Sequence, residues 1–203
     1  MSNIVKDQKI NWTGENPYIR LYDGEGGAVV TSVSFFRIVY SSEYGSGHVL
    51  FLLSDVRADG FNREDDYCVC LTDNLELANW LRNNIVKSYT GFKDMPKEYS
   101  AMEVIETKDF QSSGDPRYSW TETVKGEGLE IVLTWKSLDE PFYCEIPPTT
   151  WPYLLYTVLQ PARSVEAHIN GNKLVGQVRE EQFYGMSSTS CCLAFSETWL
   201  EME

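Results

Sequence analysis

Apolar and polar residues alternate along much of the chain, and this period of two is typical of β-strands with one buried face. β-Branched and aromatic residues dominate Ala28–Tyr40 and His48–Val56, which predicts the two strands of a hairpin. Strict alternation in Tyr118–Val124 and Leu129–Trp135, on either side of a glycine-containing turn, predicts a second hairpin.

Several shorter segments are also predicted to be extended. They include Tyr67–Leu71, Tyr99–Phe110 and Pro141–Ile146. In Tyr153–Leu159 the aromatic and β-branched content favours a strand, while Thr150 as a possible cap leaves a short helix open. These elements extend the pattern of short strands through the middle of the chain.

The clearest hairpin signal lies in the last third of the chain. Ser164–Ile169 alternates, Asn170-Gly171 suits the positive φ angles of a tight turn, and Lys173–Phe183 returns. After a second glycine-containing turn, Thr189–Leu200 is predicted as a last long strand.

One segment has helical periodicity instead. Asp73 and Glu76 have the spacing of a capping box, and apolar residues then recur at helical intervals through Ile85. We therefore predict a helix over about residues 74–88, and the glycine and proline that follow limit its continuation.

Nine or ten strands with short connections and one helix predict a mainly β fold. We expect an antiparallel meander that closes into a lipocalin-like barrel, because closure removes exposed sheet edges; a β-sandwich is the alternative. Residues 28–203 are predicted to form this single domain, with residues 1–27 as a polar N-terminal extension packed on it. Pro147–Pro152 would then mark a corner in this domain. Two compressed half-barrels that meet at this corner are an alternative to a single barrel.

Charge and composition exclude some partners. The chain has 30 acidic and 17 basic residues among 203, and this net charge of -13 argues against nucleic acid and anionic membranes as partners. Neither a secretory signal nor an apolar run long enough to span a membrane is apparent, so we expect a cytoplasmic protein with reduced cysteines.

Common catalytic and metal-binding motifs are absent from the sequence. The chain has only two histidines, and its cysteines lack the spacing of a zinc site, so we predict no metal site. The sequence also contains neither a phosphate-binding loop, which would indicate a nucleotide cofactor, nor a nucleophile elbow, which would indicate a hydrolase. We therefore expect no cofactor and look for carboxylates in unusual surroundings.

Three acidic residues and one histidine are candidates for acid-base chemistry. Glu166 and His168 share one face of a predicted strand, where a carboxylate can orient an imidazole; a solvent-facing strand is the alternative. Glu197 alternates with apolar residues of the last strand, which predicts a paired carboxylate or one with a raised pKa unless it reaches solvent at the strand end. Glu181 lies in the returning strand of the C-terminal hairpin.

The aromatic residues, 12 Tyr, 9 Phe and 6 Trp, either fill the core or line an open pocket. The pocket interpretation predicts a ligand-binding set on alternating strand positions. Its members are Trp120, Trp135, Tyr156, Arg179, Gln182, Phe183, Tyr184, Phe195 and Trp199.

Two segments resemble parts of the lipocalin-like hydratases and cyclases, namely the hydroxyneurosporene-synthase and carotenoid-hydratase group, and of related calycin isomerases. These segments are Gly176–Gly185 (GQVREEQFYG) and Leu193–Trp199 (LAFSETW). The resemblance implies a calycin fold and acid-assisted hydration, cyclisation or isomerisation of an apolar substrate. The positions that it matches are Glu181 or Glu180, with Gln182 and Tyr184.

Three functions follow as hypotheses. The first is binding of a small hydrophobic or aromatic molecule in a barrel cavity. The second is a cofactor-independent isomerase, cyclase or hydratase in the same cavity, so enzymatic activity stays open. The third is a non-enzymatic interaction protein that uses the acidic loop Arg57–Asp66; the sequence does not determine the oligomeric state.

Overall fold

A computed structural model describes residues 9–24, 27–55, 66–148 and 152–201. In these residues the chain is mainly β with one long helix, as the sequence predicts. The strands are β1 (Lys9–Glu15), β2 (Tyr18–Tyr22), β3 (Val29–Ser41), β4 (Gly47–Ser54), β5 (Tyr67–Thr72), β6 (Glu103–Glu106), β7 (Asp109–Asp115), β8 (Ser119–Gly126), β9 (Leu129–Leu138), β10 (Phe142–Ile146), β11 (Tyr153–Ile169), β12 (Asn172–Lys173), β13 (Glu180–Phe183), β14 (Met186–Thr189) and β15 (Cys191–Glu201). The helices are α1 (Leu75–Asn84), a 3-10 turn at Val86–Ser88 and α2 (Pro96–Ser100).

Thirteen of these strands form one sheet, and ten of them follow the order β6-β5-β4-β3-β1-β15-β11-β9-β8-β7. The other three lie off this path: β10 and β12 pair with β11, and β2 pairs with β3 and β15. All neighbours are antiparallel except β5 and β6, which are parallel. The sheet curls into a partly closed ring rather than a clean barrel, because its end strands β6 and β7 do not pair with each other. The strand order is also not a simple meander, since β1 lies between β3 and β15.

Within the predicted N-terminal extension, Lys9–Glu15 and Tyr18–Tyr22 are strands in the middle of the sheet, which corrects the prediction for these residues. Both β1 and β2 pair with β3 on one side and with β15 on the other. Glu15 lies opposite Arg37 and Tyr18 lies opposite Ser34, so β1 and β2 continue one register along β3. Pro17 interrupts this strand because proline has no amide hydrogen. The polar composition of this segment gave no strand signal in the sequence, although its backbone is paired in the sheet.

Strand β11 joins the two parts of the sheet. Its first half pairs with β10 and β15, and its second half pairs with β9 and β12. The strand prediction for Tyr153–Leu159 is confirmed, and the short helix is not formed. The following segment Ser164–Ile169 is a continuation of the same strand, which passes through Pro161. Residues 149–151 of the predicted corner lie outside the described residues.

Helix α1 confirms the helical periodicity. Asn74, rather than Asp73, caps it: its side-chain oxygen accepts a hydrogen bond from the backbone amide of Leu77 at 3.1 Å. Asp73 instead accepts a hydrogen bond from the backbone amide of His48. The helix ends at Asn84, and the 3-10 turn accounts for the rest of the predicted length.

Two predicted extents are wrong. Tyr99–Phe110 is not extended throughout, because α2 covers its first two residues with Pro96 in the first helical turn. The tight turn at Asn170 and Gly171 has the expected positive φ angles of 50° and 79°, but its returning strand ends at Lys173. The chain then forms the separate β13–β14 hairpin.

Apolar side chains pack on both faces of β3 and β4. One face carries Phe36 and Phe51, which pack with α1, and the opposite face carries Phe35 and Leu50, which pack with β9 and its Trp135. Burial on both faces explains the continuous apolar run in β4, because neither face can be polar. The five cysteines are all free, and four of them are buried.

Gly14, the single glycine of β1, is predicted not to tolerate a side chain. A Cβ atom there would lie 2.9 Å from Ile38 Cα and closer still to the Arg37 carbonyl oxygen, so β1 and β3 would have to separate. We expect Gly14→Ala to lower the free energy of unfolding by about 2–3 kcal/mol, measured by urea denaturation.

Gly45→Ala is the control for this steric effect. Gly45 has a φ of 70°, but a Cβ atom added there would meet no atom within 4 Å, so only the left-handed backbone is penalised. We expect a loss of about 1 kcal/mol. Equal losses for the two variants would contradict the steric explanation.

Candidate functional site

A cavity of about 250 Å³ lies on the face of the sheet that also carries α1. Its walls come from β2, β3, β10, β11 and β15, the segment 88–92 closes one side, and the tip of the β13–β14 hairpin reaches its edge. By area the lining surface is mainly apolar, although more than half of the lining residues carry a polar side chain. This composition is typical of sites that bind small molecules.

A β-bulge in β15 determines which side chains the cavity receives. Tyr156 pairs with Thr198, yet Val158 pairs with Phe195, so β15 has one more residue than β11 across this stretch. Ser196 is that extra residue and has a φ of 51°, which is uncommon outside glycine. The bulge reverses the alternation of side chains that follow it.

This reversal corrects a sequence prediction. Plain alternation places Phe195, Glu197 and Trp199 on one face of the last strand. In the structure Phe195 packs with the core on the other side of the sheet, while Glu197 and Trp199 line the cavity. Glu197 is 5% exposed, so the alternative in which it reaches solvent at the strand end is also wrong.

Glu197 is a buried carboxyl group without a cationic partner among the described residues. Its Oε1 accepts a hydrogen bond from Trp199 Nε1 at 2.8 Å, and Asn16 is a second hydrogen-bond partner. Burial raises the pKa of Glu197 to about 7, because desolvation disfavours the charged form more than these two hydrogen bonds favour it. Near neutral pH this group can therefore either donate or accept a proton.

Asn16 and Tyr89 complete the surroundings of the carboxyl group. Ser34 Oγ donates to Asn16 Oδ1 at 2.8 Å, which directs the Asn16 amide nitrogen toward Tyr89 Oη at 3.4 Å. Burial raises the pKa of Tyr89 well above its usual range, so its hydroxyl stays protonated. The sequence did not single out either residue, since each lies in a polar stretch without periodicity. Asn16 comes from the break between β1 and β2.

A second polar group lies along the cavity at Arg20. Arg20 Nη2 contacts Glu181 Oε2 at 2.6 Å, and Tyr22 Oη donates to Glu181 Oε1 at 2.9 Å. Arg179 lies over the Tyr22 ring, 3.5 Å from its centroid, and its Nη2 is 3.7 Å from Glu181. Glu181, a predicted acid-base residue, is thus the centre of an ion-pair cluster.

The predicted pair of Glu166 and His168 lies elsewhere. Both belong to the second half of β11 and neither lines the cavity. Glu166 Oε2 is 2.7 Å from Lys136 Nζ, and this contact lowers the pKa of Glu166. His168 lies opposite Lys173 and Val132 in the sheet register. The structure therefore does not bring them together with Glu197.

The predicted ligand-binding set is divided between the cavity and other places. Phe183, Tyr184 and Trp199 line the cavity, and Arg179 joins the neighbouring cluster. The other five residues do not line the cavity. Trp135 is fully buried and donates a hydrogen bond to the Tyr18 carbonyl oxygen, and Trp120 donates one to Glu122. Tyr156 stacks on Tyr143, Phe195 packs with the core on the other face of the sheet, and Gln182 pairs with Ser187 in the β13–β14 hairpin.

Two other kinds of site are absent from the described residues. No group of three His, Cys, Asp or Glu side chains is placed to hold a metal ion. No helix in this part of the chain has the length and hydrophobicity needed to cross a bilayer. The acidic loop Arg57–Asp66 lies outside the described residues except for Asp66.

Comparison with known proteins identifies no family. No family model matches the chain, and no curated protein matches it. A solved structure, acetoacetate decarboxylase from Legionella pneumophila subsp. pneumophila str. Philadelphia 1, aligns with 8% sequence identity and a TM-score of 0.43, over 96% of this chain and 84% of that one. At this level of similarity neither a family nor an activity follows, and the lipocalin-like resemblance has no family match.

The raised pKa of Glu197 predicts a pH dependence of stability. The unfolded carboxyl group releases its proton near pH 4.5, whereas the folded one retains it up to about pH 7. Wild-type stability therefore falls as the pH rises through this window, by on the order of 3 kcal/mol. We expect Glu197→Gln to remove this loss, measured by urea unfolding at pH 5 and pH 8.

Glu122→Gln is the matched control. Glu122 is equally buried, but Arg37 Nη2 lies 2.6 Å from its carboxylate. Its replacement breaks an ion pair and should destabilise the protein at pH 8, opposite in sign to Glu197→Gln. If both variants are less stable than the wild type at pH 8, the burial of an unpaired carboxyl group is refuted.

Proposed function

We propose that the cavity binds a small, largely apolar molecule and holds it against Glu197. The observation that carries this proposal is the combination of an apolar cavity with a buried carboxyl group that lacks a cationic partner in the described chain. A carboxyl group in such a place costs stability, so a purely structural role would be better served by an amide or an apolar side chain.

The cavity volume limits the size of the ligand. About 250 Å³ exceeds the ~150 Å³ of an engineered cavity that binds benzene. It is somewhat smaller than the ~300–1,000 Å³ of typical drug-sized sites. The volume therefore suits a single substituted ring or a short aliphatic chain, and it is too small for a molecule of carotenoid length.

The walls support a molecule with an apolar body and polar groups at defined points. Leu155 and Leu159 on β11 and Trp199 on β15 provide apolar surface, and Phe183 closes the edge. On β3, by contrast, the cavity face carries a buried serine, Ser34, which is already bonded to Asn16. Apolar contacts would supply affinity, and the polar side chains would fix orientation.

A cavity-filling variant tests binding directly. We expect benzyl alcohol and 1-octanol to bind the wild type, detected by saturation-transfer NMR and by a rise in melting temperature. Leu159→Trp adds volume inside the cavity and should weaken binding by about tenfold or more, because the ligand and the new ring would compete for the same space.

Leu154→Trp is the control for this substitution. Leu154 lies one residue from Leu155 on β11, so it faces away from the cavity, and it is half-buried. The same chemical change there should leave binding unaltered. Absence of binding to the wild type, or equal binding by both tryptophan variants, would refute the proposed site.

A second function, proton transfer by Glu197, is favoured by the pKa of about 7. A carboxylate in an apolar site can remove a proton next to a carbonyl group. With phenylacetone as probe, we expect wild-type protein to accelerate deuterium exchange at the carbon next to the carbonyl. The rate should rise with pH through about 7, since the ionised form is the base.

Glu197→Gln should lower this exchange rate by about a hundredfold or more. The control is Glu166→Gln, which removes an exposed carboxylate outside the cavity and should leave the rate unchanged. Exchange that survives in Glu197→Gln would exclude Glu197 as the base, while leaving the binding function intact.

A further inference from the structure

The Arg20 cluster carries an excess of positive charge beside the cavity. Two guanidinium groups, Arg20 and Arg179, share one carboxylate, Glu181. The contact of Tyr22 with the same carboxylate adds no charge at neutral pH, because burial raises its pKa. Among the described residues, one positive charge thus remains without a paired carboxylate here, in a chain whose net charge is -13.

Arg20 also has an unused hydrogen-bond donor. Its Nε is buried and has no hydrogen-bond partner in the part of the chain that the structure describes, although Nη2 of the same group is bound to Glu181. Buried donors of this kind are nearly always satisfied in native proteins, and charged donors most of all. Because Arg20 itself lines the cavity, an acceptor on a bound molecule would satisfy the group.

The other end of the cavity has an unpaired polar atom too. Thr157 is 3% exposed and lines the cavity, and its buried Oγ1 has no hydrogen-bond partner within the described ranges. The register places Thr157 opposite the bulge of β15, and therefore next to Glu197. No cation lines the cavity at this end among the described residues, so the unpaired atom suits a neutral polar group on the ligand.

The two ends are separated along the sheet. Arg20 lies on β2, while Asn16, the hydrogen-bond partner of Glu197, lies four residues earlier in the chain, and both line the cavity. Four extended positions correspond to roughly 13 Å of backbone. A ligand that satisfies both ends must therefore be elongated rather than round.

We propose that the molecule bound in this cavity is an elongated organic anion. Its carboxylate lies at Arg20, its apolar body lies along β11 and β15, and a neutral hydroxyl or carbonyl group lies between Thr157 and Glu197. This inference rests on the proposed binding function and specifies the chemical class of its ligand. No bond is formed or broken in this binding step.

Paired probes separate the charge of the ligand from its shape. The probes are linear carboxylates of about four to ten carbons, each compared by isothermal titration calorimetry with its own primary amide, which is neutral and similar in shape. We expect the wild type to bind the best carboxylate at least about tenfold more tightly than its amide. In Arg20→Gln this ratio should fall to about one while the affinity for the amide is retained.

Two further variants keep the test decisive if Arg20→Gln does not fold. Glu181→Gln removes the carboxylate that competes for Arg20, so the preference for the acid over the amide should increase by about threefold or more. Arg163→Gln removes an arginine that pairs with Asp139 and Glu180 away from the cavity, and it should keep the wild-type ratio.

The outcomes distinguish this inference from the function on which it rests. If the wild type binds acids and amides equally, or if Glu181→Gln leaves the preference unchanged, the anion class is refuted while cavity binding stands. If Arg163→Gln abolishes the preference as Arg20→Gln does, the effect is one of overall charge and the Arg20 site is refuted. If neither the acids, the amides nor the neutral alcohols bind, both proposals are refuted.

Discussion

One extra residue in β15 determines the character of the candidate site. At Ser196 the strand has one more residue than β11, and the same shift occurs against the N-terminal strand, where Gly14 pairs with Glu197 but Asn16 bonds to Ala194. The bulge turns the carboxyl group of Glu197 from one face of the sheet to the other. Non-glycine residues with positive φ cost free energy and are frequent at functional sites.

The site combines several features that do not favour stability. Within the described residues, a carboxyl group is buried without a cation, an arginine nitrogen and a threonine oxygen lack hydrogen-bond partners, and a serine has a left-handed backbone. Each of these features costs free energy, and a bound ligand would offset the first three. Elsewhere buried charges are compensated: Glu122 receives hydrogen bonds from Arg37, Ser112 and Trp120.

Local patterns predicted the elements whose causes are local. The periodicity around α1 predicted a helix, alternation predicted the β8–β9 hairpin, and Asn170-Gly171 predicted a tight turn. The unusual surroundings of Glu197 were also visible as a carboxylate among apolar neighbours. By contrast, β1 and β2 were missed, because a strand in the middle of a sheet need not be apolar when its polar side chains find partners.

By itself, the sequence determined the β class, the helix and the main turns, and it marked Glu197 as a carboxylate among apolar neighbours, because each of these features depends on residues close together in the chain. The tertiary structure decided which carboxylate lies in a cavity, and it separated Glu197 from His168 and Glu166. It also brought Asn16, Arg20 and Tyr89 to the site from distant segments. These facts depend on the order of the strands in the sheet and on a bulge, which exists only relative to the neighbouring strands. The alternation of residues within a single strand carries no information about either feature.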